Sequence, residues 1–530
     1  MRIAFVCFVA LLLILSVAAG FLYPWALLAW IVLGPLVALG IFDLLQVRHS
    51  ILRNFPVLGH FRYLFELIRP EIYQYFVEND TEGVPFDRDQ RSLIYQRAKD
   101  VRDTVPFGTK ENLYETGYEW VNHSMSPVIH VPENMRVTVG GRECTQPYSC
   151  NLLNISAMSY GSLSKNAVLA LSKGAKQGCF AHNTGEGGVS PYHIEGGGDL
   201  IWQVGTGYFG CRNQDGTFSE SMFAETASCE NIKMVELKLS QGAKPGHGGI
   251  LPAAKLTPEI AKIRGVPLGK DVLSPPGHSS FSTPIGLLEF VQLLREKSGG
   301  KPIGFKLCVG KRREFLAVCK AMVETGLKPD FIAVDGGEGG TGAAPLEFSN
   351  HIGTPLVEGL IFVHNALVGY GLRDEIRVIA SGKVTSGFDI LKRLALGADA
   401  CYSARSMMMA LGCIQALKCN SNECPVGVAT QKKSLMNGLV VSDKSQRVAN
   451  YHRETITSLC EILGALGLHR PEDLRPWHVV HRISPTKIRH YAELYDYIEP
   501  GSLLNEPLPD SFVRACRAAS AQTFESATIE

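Results

Sequence analysis

Three stretches of this 530-residue chain set reactive side chains at spacings that suit chemistry. The first is Cys413-x5-Cys419-x4-Cys424-Pro425, three thiols within twelve residues of a segment rich in Asn and Gly. Three thiolates on a loop able to wrap suit an iron–sulfur cluster with one corner missing, or a zinc site completed by another residue. A four-iron cluster needs a fourth ligand, and none lies nearby in sequence. Incidental core thiols are the plain alternative, because the other eleven of the 14 cysteines are scattered through the chain.

The second stretch is the pair Ser381-Gly-Lys383 and Gly397-Ala-Asp-Ala-Cys-Tyr-Ser-Ala-Arg405. Backbone N–H groups of two such loops, with Lys383 and Arg405 beside them, suit a phosphate. Together with Lys306 and the loop Asp335-Gly-Gly-Glu-Gly-Gly-Thr-Gly342, they suggest a flavin mononucleotide (FMN). That loop has no dinucleotide-binding βαβ unit around it, so by itself it reads only as a tight turn. The third stretch joins Asn183-Thr-Gly-Glu186-Gly-Gly188 to Lys238-Leu-Ser-Gln241-Gly-Ala-Lys244-Pro-Gly-His247-Gly-Gly249. A carboxylate between glycines can approach a substrate closely, and two cations near an amide can hold a dicarboxylate. The plain alternative is a structural ion pair between Glu186 and Lys238.

These groups need a scaffold that brings them together. Apolar or β-branched runs at 152–157, 178–183, 233–239, 271–274, 303–308, 331–335, 376–381 and 399–404 alternate with helix-length segments, the pattern of a (β/α)8 barrel. A doubly wound sheet is the alternative. The barrel is favoured because Ser156 to Ser159, Lys238, Lys306, Asp335 and Ser381 come at or just after strand ends, where a barrel carries its active rim. Residues 127–157 read as strands leading into it.

No charged residue lies between Arg2 and Asp43, and Tyr23-Pro24-Trp25 interrupts the apolar run. One helix of that length would be about twice the bilayer core, so two spans are expected, near 3–21 and 25–45. Arg2 before them and Arg48 and Arg53 after them place both ends, and the catalytic body, on the cytoplasmic side. A cleaved signal peptide ending at Ala18-Ala19-Gly20 and a buried hydrophobic hairpin are the alternatives. The expected domains are a membrane hairpin at 1–47, a polar connector at 48–110 with a helix near 87–103, the barrel at 111–435 with its cysteine loop at 405–431, and a helical region at 436–530. A balance of 52 Lys+Arg against 51 Asp+Glu provides no field to gather nucleic acid, and no nucleic-acid partner is expected.

Taken in order, Ile155-Ser-Ala-Met-Ser-Tyr-Gly-Ser-Leu-Ser164, the Asn183 and Gln241 motifs, Asp335 to Ala343 and Cys419 to Gln431 resemble the synthase domain of the glutamate synthase family, in its shorter single-chain form. The likeness runs over about 110–435. It implies an FMN-binding barrel with a three-iron, four-sulfur cluster held by Cys413, Cys419 and Cys424. It also implies that Lys238, Gln241 and Arg264 grip 2-oxoglutarate, with Glu186 beside flavin and substrate; because imine formation has to protonate the departing oxygen, Glu186 is the expected catalytic proton carrier. Along the flavin it places Ser156, Ala157, Met158, Lys306, Gly382 and Arg405, and the loops read above add Asp335, Gly336, Gly337, Ser381, Lys383 and Ala404 to the expected cofactor contacts. The implied reaction is reductive amination of 2-oxoglutarate to L-glutamate, by hydride transfer from reduced FMN to 2-iminoglutarate.

Larger members of the family begin with a glutaminase domain, whereas this chain opens on Met1-Arg2 and an apolar run. Nitrogen is therefore expected as ammonia, free or released from glutamine by another subunit. Electrons are expected from ferredoxin or a separate reductase subunit, since no nicotinamide-binding module is visible. The alternative function is an FMN oxidoreductase of the same scaffold acting on another keto acid or amine. His247 bears on that choice, because it stands where many relatives carry glutamate.

Overall fold

The computed structural model describes residues 1–527. It divides into two compact units, Met1–Asp89 and the rest of the chain from Gln90.

The first unit is helical. Helix α1 (Arg2–Leu22) stops at Tyr23, whose backbone is extended, and the 3-10 segment Pro24–Ala29 turns the chain into α2 (Trp30–Leu45). The 21 residues Arg2–Leu22 and the 19 residues Leu27–Leu45 are long and apolar enough to cross a bilayer. A side chain at Gly40 would put its Cβ 2.0 Å from the Phe5 ring, so this glycine is what lets the two helices meet there. After a short helix at Ser50–Asn54 comes α3 (Gly59–Ile72), which runs into the π-helical turn Tyr73–Val77. The segment expected to be a polar connector is thus largely helical here, despite Pro56 and Pro70. Of the helix expected near 87–103, Arg88–Ala98 forms.

The second unit is built on a closed barrel of eight parallel strands: β1 (Leu153–Ile155), β2 (His182–Asn183), β3 (Leu200–Val204), β4 (Ile232–Lys238), β5 (Ile303–Leu307), β6 (Phe331–Asp335), β7 (Arg377–Ser381) and β8 (Ala400–Ser403). Strands β6 to β8 are buried along nearly their whole length, as expected of a parallel sheet covered by helices. An antiparallel hairpin, Arg136–Val139 with Tyr148–Asn151, buries Val139, Tyr148 and Cys150 against Phe331 and Ala400 at the strands' N-terminal ends, closing that end of the barrel.

Three sequence expectations need correction. The run 271–274 is not a barrel strand, because Val272–Leu273 pairs antiparallel with Ile250–Leu251 inside the long excursion between β4 and β5. The barrel reaches eight strands instead with β3, between β2 and β4, a fully buried run with no alternation to mark it, preceded only by the six-residue helix Pro191–Gly196. Residues 127–131 form no strand; the first strand of that stretch is Arg136–Val139. The region 436–530 is not all helix. The long helix Val441–Ala465 is present, but Val479–Ser484 and Lys487–His490 pair as strands, and Val479–Ser484 also pairs with Glu119–Val121.

Candidate active site

Strand register sets the rim. Lys238 pairs with Lys306 across β4 and β5, Asp335 with Ser381 across β6 and β7, and Ser403 with Ile155 across β8 and β1. All these positions lie at C-terminal strand ends, so one face gathers the polar side chains of five strands, β4 to β8.

One side of that face is a charge cluster. Lys238 Nζ lies 3.1 Å from Glu186 Oε2. Burial pushes the Glu186 carboxyl up, but the charge and hydrogen bond of Lys238, then Arg264 and Lys244, outweigh it and hold the group below the ordinary carboxylate range. A Cβ at Gly249 would stand 2.1 Å from Glu186 Oε1, so the backbone there closes directly over the carboxylate. Arg264 ends the helix Pro258–Arg264, which Thr257 caps at its start. Its guanidinium donates to Ser159 Oγ at 3.3 Å and to the Tyr160 carbonyl at 3.1 Å, and it lies over the Phe209 ring. Arg264 Nε is buried with no hydrogen-bond partner, and burial lowers the group to about 10. Gln241, half-buried, begins the tight turn that Lys244 N–H closes on its carbonyl.

The other side is built from β5 to β8 and β1. Lys306 Nζ lies 3.4 Å from Asp335 Oδ2, and that oxygen accepts the Gly242 N–H at 2.9 Å. A Cβ at Gly242 would fall 1.6 Å from the Gly336 carbonyl oxygen, so glycine is required where these two loops cross. Gly336 and Gly337 hold their loop through N–H bonds to Ser381 and Thr354. Ser156 Oγ and Ser381 Oγ are 3.4 Å apart, and Ala157 and Met158 continue from Ser156 along the rim. Gly382 and Lys383 have φ of 148° and 46°, a left-handed bend that turns the chain off β7. Ala404 precedes the helix Arg405–Ala410, and the Arg405 guanidinium donates to the Glu338 carbonyl at 2.6 Å.

The cysteine loop packs beside β1. Gln431 donates to the carbonyls of Gly161 and Leu163, and Lys255 Nζ donates to the Ser162 and Cys419 carbonyls. Gln415, Leu417 and Asn422 all take positive φ, which folds the loop back on itself. Cys413, Cys419 and Cys424 lie close enough to affect one another's charge; burial pushes the Cys413 thiol up to about 12 and also raises Cys419. Among the described residues, no three His, Cys, Asp or Glu side chains converge on a single-ion position.

Two side chains join this geometry beyond those that the family resemblance assigns to the site. Lys244 is buried, donates to the Ala343 carbonyl at 2.8 Å, and is lowered to about 8 by burial and then by Lys238. Its signal was its place beside Gln241 in a motif already read for cations. His278 receives no such signal. It lies in the excursion before β5, within hydrogen-bond distance of the Lys238 carbonyl at 2.9 Å and the Tyr208 hydroxyl at 3.1 Å, and steadies the end of β4. His247, half-buried, meets the Gly248 carbonyl and the edge of the Phe348 ring.

Residues 126–469 match the family profile described as a conserved region in glutamate synthase. The glutamate synthase large subunit-like protein YerD of Bacillus subtilis (strain 168) is 38% identical over 501 residues, covering 87% of this chain and 93% of that protein. The archaeal glutamate synthase (NADPH) of Methanocaldococcus jannaschii is 36% identical over 322 residues, 61% of this chain and 60% of that protein. This chain therefore spans about three fifths of the archaeal relative's length. With one profile running through every barrel strand and a relative matched almost end to end, this chain belongs to the glutamate synthase family, whose members are oxidoreductases acting on the CH–NH2 group of donors.

Proposed function

We propose that the rim makes L-glutamate from 2-oxoglutarate and ammonia, using FMN and a three-iron, four-sulfur cluster. One observation carries this reading: three buried cations, Lys238, Lys244 and Arg264, act on the single carboxylate Glu186. That excess of positive charge, with an unpartnered Nε on Arg264, is what a dicarboxylate would balance.

The residues on the opposite side of the rim fit FMN. Lys306 and Arg405 supply positive charge, the bend at Gly382 and Lys383 presents backbone for a phosphate, and Ser156, Ala157, Met158, Asp335, Gly336, Gly337, Ser381 and Ala404 line the same face. Reduced FMN held by these residues would supply the hydride that turns the imine carbon into the amine-bearing carbon. Cys413, Cys419 and Cys424, on a loop that positive φ at Gln415, Leu417 and Asn422 folds back on itself, are the residues that would hold an iron–sulfur cluster. A one-electron relay of that kind suits ferredoxin or a separate reductase subunit as donor.

The chain's own groups handle position and protons. Lys238, Lys244, Gln241 and Arg264 hold the two carboxylates and so fix the keto carbon. The nitrogen must be neutral to attack it. Glu186, held ionised, accepts a proton from the incoming nitrogen and returns it to the ketone oxygen, and a second transfer by the same route gives the resulting hydroxyl the proton with which it leaves as water, so that the neutral imine remains. A carboxyl already protonated at rest could not begin that sequence. Helices α1 and α2, with Arg2 before them and Arg48 and Arg53 after, are proposed to anchor the chain with its body on the cytoplasmic side.

The test is anaerobic. The purified protein with chemically reduced flavin is mixed with 2-oxoglutarate and either ammonium or glutamine. Flavin reoxidation with glutamate formed from ammonium alone is expected. If neither mixture reoxidises a flavin that is present, another keto acid or amine is the substrate.

A further inference from the structure

Helix α3 leaves an apolar stripe in contact with solvent. Phe61, Leu64, Phe65, Ile68 and Ile72 recur at helical spacing along one side, and Phe76 of the following turn extends the stripe. All six are exposed, Phe65 by 63% and Phe76 by 81%. The other side carries Tyr63 and the Arg62–Glu66 ion pair at 3.1 Å. A continuous apolar face of this extent marks an interaction surface.

What covers it follows from where α3 is tied. Asp43, fully buried and two residues before the end of α2, accepts the Val57 N–H at 2.9 Å and meets His60 Nε2 at 3.0 Å. These bonds fasten the first turn of α3 to the last turn of the second apolar helix, the level at which the chain passes from an uncharged sequence to Arg48 and Arg53. Between residues 46 and 77 there are four arginines against two glutamates, a positive balance suited to anionic headgroups.

We propose that α3 lies in the interface of the membrane that α1 and α2 cross, with its stripe against the acyl chains and Arg62 and Arg69 among anionic headgroups. The inference rests on the membrane reading of α1 and α2. The helix gives the chain a second, surface-lying attachment immediately after the hairpin.

The test uses the full-length protein in nanodiscs of phosphatidylcholine and phosphatidylglycerol. A photoreactive benzoylphenylalanine is placed in turn at Phe65, Ile72, Tyr63 and Glu66, and the adducts are read by mass spectrometry. Lipid adducts several-fold more abundant at Phe65 and Ile72 than at Tyr63 and Glu66 are expected. Equal labelling at the four positions overturns the proposal, as does crosslinking from Phe65 or Ile72 to a second copy or to residues beyond 90. Alkaline carbonate extraction reads the hairpin separately. Release of the unsubstituted protein from membranes overturns the hairpin and α3 with it; retention with equal labelling overturns α3 alone.

Discussion

The two ends of one barrel treat buried charge in opposite ways. At the N-terminal end, Arg295 donates to Asp330 at 3.3 and 3.2 Å, to Glu143 at 3.0 Å and to the Lys328 carbonyl. Asp330 in return accepts the N–H groups of Gly141 at 2.6 Å and Ile303 at 2.8 Å, locking the closing hairpin to the first residue of β5. At the C-terminal rim, Arg264 Nε is buried without a partner and three cations act on one carboxylate. The first end is a finished network and the second is not. Under the function proposed above, the sheet does two jobs, with stability secured where polar valences are closed and chemistry placed where they are left open for a ligand.

The largest effect that can break this division is on turnover. Glu186→Gln keeps the shape but removes the proton acceptor, and glutamate formation should fall by about 10²–10⁴-fold. Its unfolding midpoint should move less than that of an Asp330 variant. Asp330→Ala takes away the buried carboxylate partner of Arg295, leaving it the half-exposed Glu143, and should cost about 3–5 kcal/mol in denaturant unfolding, with activity per folded molecule retained. The reverse pattern, a stable but inactive Asp330 variant, would erase the contrast between the two ends.

A smaller effect sharpens the roles within the rim. Arg264→Lys keeps the charge but loses the planar fork, so KM for 2-oxoglutarate should rise by about tenfold, the loss of about 1.5 kcal/mol, with kcat nearly unchanged. The smallest is a pH effect. Lys244 is lowered to about 8 by burial, so the cation is present below that pH and disappears above it. Dicarboxylate affinity should decline as pH rises through 8, measured by titration between pH 7 and 9. Stability runs the other way. The unfolded chain binds this proton more tightly than the folded one, so the cost of burying Lys244 is present at neutral pH and fades as pH climbs from about 8 towards 10.5. A flat binding profile would remove Lys244 from the substrate site.

Much of the barrel is legible in the sequence, for a physical reason. Runs such as Phe331–Asp335 and Arg377–Ser381 are buried strands that end on a polar residue, so both the element and its functional end show in one short string. Strand β3 escapes because burial on both faces erases alternation and the connection before it is too short to read as a crossover helix. The strand Lys487–His490 falls in the region expected to be helical, because apolar spacing over so few residues suits either state. Helix α3 was hidden by its charges and by Pro56 and Pro70, although its stripe at Phe61, Phe65, Ile68 and Ile72 is plain once the helix is known. Of the proposed site residues, motifs single out Glu186 and Lys238 and the family resemblance adds Arg264, while His278 meets a backbone carbonyl and leaves no local mark.

The central claim is that the open charge at the rim serves glutamate formation. A single turnover in deuterated water tests it most directly, with reduced protein, 2-oxoglutarate and ammonium, followed by mass analysis of the product. The account predicts glutamate carrying one deuterium at its Cα, in proportion to the flavin reoxidised, from the unsubstituted protein, and far slower formation in Glu186→Gln. Glutamate formed equally fast by both proteins, or flavin reoxidation that yields no glutamate, would contradict it.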